Sequence, residues 1–359
     1  MILEELLEFV FENNASDLHM SPGLPPVFRI DGTLIRGEYP PLTKEDCQRL
    51  IFSMLSNEQR RVLEQNWELD CSYGVAGLGR FRVNVYKQRG SYSAALRAIT
   101  TDIPSFEKLN LPPIVKEICE RPKGLVLVTG PTGSGKSTTL AAMIDYINTQ
   151  YAHHILTVED PIEFLHNSKR GVIHQRELGQ DTRSFENALR SALREDPDVI
   201  LVGEMRDLET ISLALTAAET GHLVMGTLHT SSAMQTVDRI VDVFPPEQQQ
   251  QIRVQLSNSL VAVFSQALLP KLNEVKEKEG RTMSMEIMLV TPAIANLIRE
   301  GKSAQIYSSI QTGAQYGMVT METSLKELYQ RGVVTLEDAL GKTTRPEDLK
   351  RLISGAGMR

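Results

Sequence analysis

The chain has 359 residues, a net charge of −7 and 41% hydrophobic residues, a length that predicts about two or three domains. The acidic balance, with no long basic tract, argues against general nucleic-acid binding. Cys47, Cys71 and Cys119 form no Cys-x-x-Cys pair, so neither a zinc ribbon nor a disulfide framework is expected, and a reducing cytoplasm fits.

Glu4, Glu5, Glu8 and Glu12 interleave with apolar residues, which predicts an opening amphipathic helix rather than a secretory signal. Residues 1–100 then read as a mixed α/β module. Pro26 to Ile30 is a short strand before the turn Asp31-Gly32, helical spacing returns at Lys44 to Leu55 and Asn57 to Glu64, and period-two strands follow at 70–73, 80–86 and 91–97. Arg80 and Arg82 share one strand face, while Phe81, Val83 and Val85 share the other and point inward. The arginines at 80, 82 and 97 fit a solvated stripe. They fit equally well arginine fingers that reach a neighbouring subunit's triphosphate.

Residues 101–113, with Pro104, Pro112 and Pro113, read as a stiff linker. From 114 to about 270, four nearly unbroken apolar runs at 125–129, 155–158, 199–202 and 223–228 alternate with helical patterns, the signature of a mainly parallel sheet covered on both faces. The first run enters Gly130-Pro131-Thr132-Gly133-Ser134-Gly135-Lys136-Ser137, followed by Thr138. This is a P-loop in its strand-to-helix setting. Gly133 and Gly135 let successive N–H groups curl around a phosphate, Lys136 reaches the β- and γ-phosphates, and the Ser137 hydroxyl is placed for Mg²⁺.

Ligands in such sheets sit beyond the carboxyl ends of the strands. There the sequence places Glu159-Asp160-Pro161-Ile162-Glu163, Gly203-Glu204-Met205-Arg206-Asp207 and His229. Hydrolysis needs a carboxylate to orient water. Glu204 is the first candidate because it follows an apolar strand directly, although Gly203 stands where an aspartate is usual. Glu163 is the alternative base, and either carboxylate could join Ser137 on magnesium. His229 could contact the γ-phosphate; His222 begins the same strand, and taken singly each is more often a structural hydrogen-bonder. Beyond these motifs, 247–268 reads as a long Gln-rich helix, 271–359 as a helical C-terminal region, and 354–359 as a frayed tail. The best apolar run, Leu260 to Leu269, is interrupted by Ser265 and Gln266 and falls short of the ~20 residues that span a bilayer, so direct membrane insertion is not expected.

Taken together, the P-loop, the Thr157-to-Glu163 box, the Leu193-to-Asp207 box and the Thr220-to-Thr230 box resemble, in content and order, the secretion ATPase superfamily, whose glutamate box likewise carries glycine before its acid. The chain is short at its N-terminus and lacks a four-cysteine element. Ala293-Ile294-Ala295-Asn296-Leu297-Ile298-Arg299-Glu300 is similar to the C-terminal signature of the type IV pilus retraction ATPases, departing from it at Ala295. The resemblance implies a PAS-like N-domain on a RecA-like ATPase domain and favours Arg82 and Arg97 as fingers. It further implies a homo-hexamer that burns ATP with Mg²⁺ in the cytoplasm, docks on an inner-membrane platform protein and, through it, withdraws pilin. Alternatives are an accessory retraction ATPase, a type II/IV secretion ATPase, or a non-hydrolysing nucleotide-dependent scaffold.

Overall fold

The computed structural model describes residues 2–30, 32–75, 77–99, 102–272 and 278–355. They form two compact units, Met1–Asp102 with Glu163–Leu165, and Ile103–Ile162 with His166–Arg359.

In the first unit, helices α1 (Leu3–Glu12), α2 (Lys44–Met54) and α3 (Asn57–Asn66) accompany strands β1 (Asp17–Met20), β2 (Val27–Ile30), β3 (Thr33–Arg36), β4 (Glu68–Val75), β5 (Gly79–Gln88) and β6 (Ser91–Ile99). The strands form one antiparallel sheet in the order β3-β2-β1-β6-β5-β4. Period-two alternation sends Leu18, Phe28, Phe81, Val83, Val85 and Leu96 to a single face, where they pack against Leu6, Leu7, Leu50, Ile51 and Leu63 of the helices. Capping boxes at Thr43 and Ser56 fix where α2 and α3 begin.

The second unit is built on a seven-stranded sheet of order β13-β12-β7-β11-β10-β8-β9. Its strands are β7 (Gly124–Thr129), β8 (His154–Glu159), β9 (Val172–Glu177), β10 (Val199–Val202), β11 (Leu223–Leu228), β12 (Leu260–Leu272) and β13 (Lys278–Leu289). All neighbours run parallel except β12 and β13. Strand β7 explains the unbroken hydrophobic spelling: Leu125 and Leu127 enter one core with Leu189, Leu215 and Ile240, whereas Val126 and Val128 enter another with Leu140, Met143 and Ile147. Helices α4 (Ile114–Cys119) and α5 (Lys136–Gln150) supply the latter face; α6 (Phe185–Ala192), α7 (Leu208–Thr220), α8 (Ala233–Asp242) and α9 (Pro246–Ser259) supply the former.

Two sequence expectations change here. The helix expected over 247–268 stops at Ser259, and Leu260 opens the thirteen-residue strand β12. Local spacing does not reveal that Leu260 to Ser265 pair with β7 on one side while Ala262 to Leu272 pair with β13 on the other. The C-terminal region is therefore not wholly helical: β13 precedes α10 (Pro292–Arg299), α11 (Ile306–Thr312), α12 (Met321–Gln330), α13 (Leu336–Leu340) and α14 (Pro346–Ser354). Side chains of the stretch read as a stiff linker pack against the second unit. Phe106 is buried and stacks on Tyr146 with 5.2 Å between ring centres, and Leu109 and Leu111 join the same core. The last four residues of the expected frayed tail lie outside the described residues.

The C-terminal helices meet the sheet around Glu286 of β13, which is 3% exposed and accepts from Ala233 N–H at the start of α8 (2.7 Å). Burial pushes this carboxyl up to about 7, with the nearby Glu322 adding to the rise and the Ala233 hydrogen bond opposing it. A folded-state value above the unfolded one means that this group stabilises the fold below the ordinary carboxylate range. That contribution is lost as pH rises through about 7. Urea unfolding is therefore expected to show stability falling between pH 5 and 8 by on the order of 3 kcal/mol from this group. Glu286→Gln is expected to flatten the decline, and an unchanged decline in the variant would refute the assignment.

Candidate active site

The phosphate loop leaves β7 at Gly130 (φ 142°) and turns through Gly133 (φ 78°) and Gly135 (φ 88°), left-handed conformations that a side chain would strain. At Gly130 there is no room either: a Cβ would run into the Gln266 carbonyl of β12 and the Ser134 hydroxyl. Lys136, first residue of α5 and 9% exposed, donates from Nζ to the carbonyls of Gly130 (2.9 Å) and Pro131 (3.1 Å). Its ammonium is thus held inside the curve of the loop. The buried Ser134 Oγ has no hydrogen-bond partner among the described residues, a polar atom that a phosphate oxygen would satisfy. Thr132 is exposed, and Ser137 and Thr138 are half-buried on the first turn of α5.

Sheet order decides what faces this loop. Strand β11 lies beside β7, β10 beside β11, and β8 beside β10, so at ~4.8 Å per parallel step Glu204 emerges about 10 Å across from the loop with His229 between them. The Glu204 carboxylate is one-fifth exposed and is held from two sides, by Arg206 Nη2 at 2.6 Å on Oε2 and by His229 Nε2 at 3.2 Å from Oε1. Burial pushes its pKa up, but the hydrogen bond and charge of Arg206, joined by His229, outweigh burial and hold the carboxyl below its ordinary range. Gly203 has a packing reason: an added Cβ would lie 3.1 Å from Glu159 Cα and from Val158 O, where β10 presses on β8. Thr227 Oγ1 also donates to the Gly203 carbonyl, tying β11 to the residue before the acid.

The other expected residues are placed as follows. Glu159 accepts from Thr157 Oγ1 (2.7 Å) and Gln175 Nε2 (3.3 Å), which orders the end of β8. Glu163 is exposed in the β8–β9 connection, just after Ile162, whose N–H donates to the buried Glu177 (3.1 Å). His222 precedes β11, at the amino end of the strand that delivers His229, about 20 Å away by strand length. Its Nδ1 lies 3.0 Å from the Ala217 carbonyl in the last turn of α7. Arg82 and Arg97 face each other across β5 and β6 in the first unit, and both are exposed. Arg206 had no role assigned from sequence. Its spacing two residues after an acid on a strand-end loop was the available signal.

Among the described residues no group of three or more His, Cys, Asp and Glu could hold a metal by itself. The Ser137 hydroxyl on the phosphate loop is a hard oxygen donor of the kind Mg²⁺ shares with phosphates and water, so it fits the ion as a partner of bound nucleotide.

A phosphate loop at one strand end and an ionised glutamate two strands away define a RecA-like P-loop nucleoside triphosphatase. Residues 1–341 match the model of the Type II/IV secretion system protein family, and the chain belongs to that family, as an ATPase of the pilus-retraction kind. It is 53% identical over 348 residues to the type IV pilus retraction ATPase PilT of Pseudomonas aeruginosa, covering 97% of this chain and all of that protein. It is 52% identical over 324 residues to a twitching motility protein of Neisseria gonorrhoeae, covering 90% and 86% of the two chains. The crystal structure of the pilus retraction motor PilT with bound ADP matches at a TM-score of 0.90 and 51% identity, covering 98% of this chain and 99% of that one.

Proposed function

We propose that this chain works as a homo-hexamer in the cytoplasm, docked on an inner-membrane platform protein, and that ATP hydrolysis in the ring drives pilin back into the membrane. The observation that carries the catalytic part is Glu204, ionised and clamped by Arg206 and His229 at the strand end facing the phosphate loop. Lys136, Ser134 and the loop N–H groups bind the β- and γ-phosphates, Ser137 holds Mg²⁺ with Glu204 or Glu163 as further oxygen donors, and Glu204 orients the attacking water. The ion supplies charge neutralisation on the phosphates when bound.

The exposed guanidiniums of Arg82 and Arg97 complete the site from a neighbouring chain, stabilising charge on the transferred phosphoryl group. Residues 1–100 act as the moving domain, joined through 101–113 to the ATPase domain of 114–270 and the C-terminal region of 271–359. Among the described residues no helix is long and apolar enough to cross a membrane. The test combines two readings on the purified full chain with MgATP. Native mass measurement is expected to give a six-chain particle and Arg97→Ala to lower its phosphate release by about 10³-fold while the particle persists. A chain that stays monomeric under these conditions would refute the ring.

A further inference from the structure

The face of the first sheet opposite its core carries a single cross-strand row. Register places Arg29 of β2 against Asp17 of β1, Asp17 against Arg97 of β6, Arg97 against Arg82 of β5, and Arg82 against Ser72 of β4. Three arginines and one carboxylate thus lie side by side. Directly opposed like charges repel across a sheet, so Arg82 and Arg97 would spread apart unless something held one of them. Asp17 does: its Oδ1 accepts from Arg97 Nε at 2.8 Å, while its Oδ2 accepts from Ser16 Oγ at 2.8 Å and lies 3.6 Å from Arg29 Nε.

The mode of attachment matters. Arg97 is gripped at Nε, and its two Nη groups make no hydrogen bond among the described residues; the side chain is 70% exposed, whereas that of Asp17 is 11% exposed. An arginine fork bound through Nε keeps the paired Nη donors that suit a phosphate. We propose that Asp17 is a positioning residue for ATP hydrolysis, which fixes Arg97 side-on so that its Nη pair is presented, already oriented, to the phosphates of a neighbouring chain. This rests on the trans role proposed for Arg97 and adds the residue that organises it. Arg29, whose Nη1 donates to the Gly32 carbonyl at 2.9 Å, closes the other side of the carboxylate and keeps it in place.

The experiment is a cycle of Asp17→Asn, Arg97→Ala and the double variant, in the assembled full chain with MgATP. Asp17→Asn is expected to lower kcat about tenfold with KM for ATP changed less than about twofold, because orientation is lost and binding is not. In the Arg97→Ala background it is expected to cost nothing further. A merely structural aspartate would lower activity equally in both backgrounds, and that result overturns the proposal, as does an unchanged kcat in Asp17→Asn when Arg97→Ala is impaired. An unimpaired Arg97→Ala chain instead refutes the trans role of Arg97 itself. Should the D17N chain not fold, Ser16→Ala removes only the hydroxyl that holds the carboxylate. It is expected to lower kcat about two- to threefold in the unaltered chain and not in Arg97→Ala; equal losses in both overturn the proposal.

Discussion

Glu204→Gln is expected to leave ATP affinity within a few-fold of the unaltered chain and to lower steady-state hydrolysis by about 10²- to 10⁴-fold, the contribution of a positioned base. The substitution keeps the side chain's shape, and the amide oxygen can still accept from Arg206, so the end of β10 should hold. What it removes is the negative charge that attracts a proton from water. Because Arg206 and His229 keep the carboxyl below its ordinary range against the upward push of burial, the Glu204 carboxylate stays ionised throughout the neutral range. Loss of hydrolysis through this group is therefore expected only on acidification below the usual carboxylate range, not near pH 7. Phosphate release against ATP concentration, with nucleotide binding measured separately, checks both halves. A rate within a few-fold of the unaltered chain would pass the role of base to Glu163, whose replacement by Gln should then show the larger loss.

Lys136→Ala is expected to weaken ATP binding by roughly 10- to 150-fold, the equivalent of about 1.5–3 kcal/mol for a hydrogen bond to a charged group, and to remove measurable hydrolysis. The position of the ammonium is the reason. Drawn in by the Gly130 and Pro131 carbonyls, it is held inside the curve of the loop, where a bound triphosphate would meet its charge. The fold should not suffer, because alanine is the strongest helix former and Lys136 begins α5. Removing a largely buried ammonium can even raise stability without nucleotide. Calorimetric titration with ATP and a melting curve in its absence distinguish the two effects; undiminished affinity would contradict the placement of the lysine.

The phosphate loop, the four hydrophobic strands and the acids that follow them were legible because each is a local pattern. Glycines spell the turn, doubly buried strands lose their polar residues, and strand ends are where the chain can place charge. The alternation of Phe81, Val83 and Val85 likewise sorted the first sheet into a core face and a polar face without reference to any partner. Gly203 matched the family's glutamate box, but its physical reason was not legible, since the pressure on it comes from Val158 and Glu159 on another strand.

What the sequence by itself determined is where the chemistry-bearing residues lie along the chain: a phosphate loop after one strand, an acid at the end of another, arginines on the strands that precede them. Only the tertiary structure decided which groups meet. Strand order put His229 between the loop and Glu204 and sent His222 to the far end. Long-range pairing turned the second half of an apparent helix into β12 between β7 and β13, and register across the first sheet set Asp17 against Arg97, eighty residues away. Those outcomes depend on hydrogen bonds between strands distant in the chain, and period and composition carry no information about which distant strand a given strand will choose.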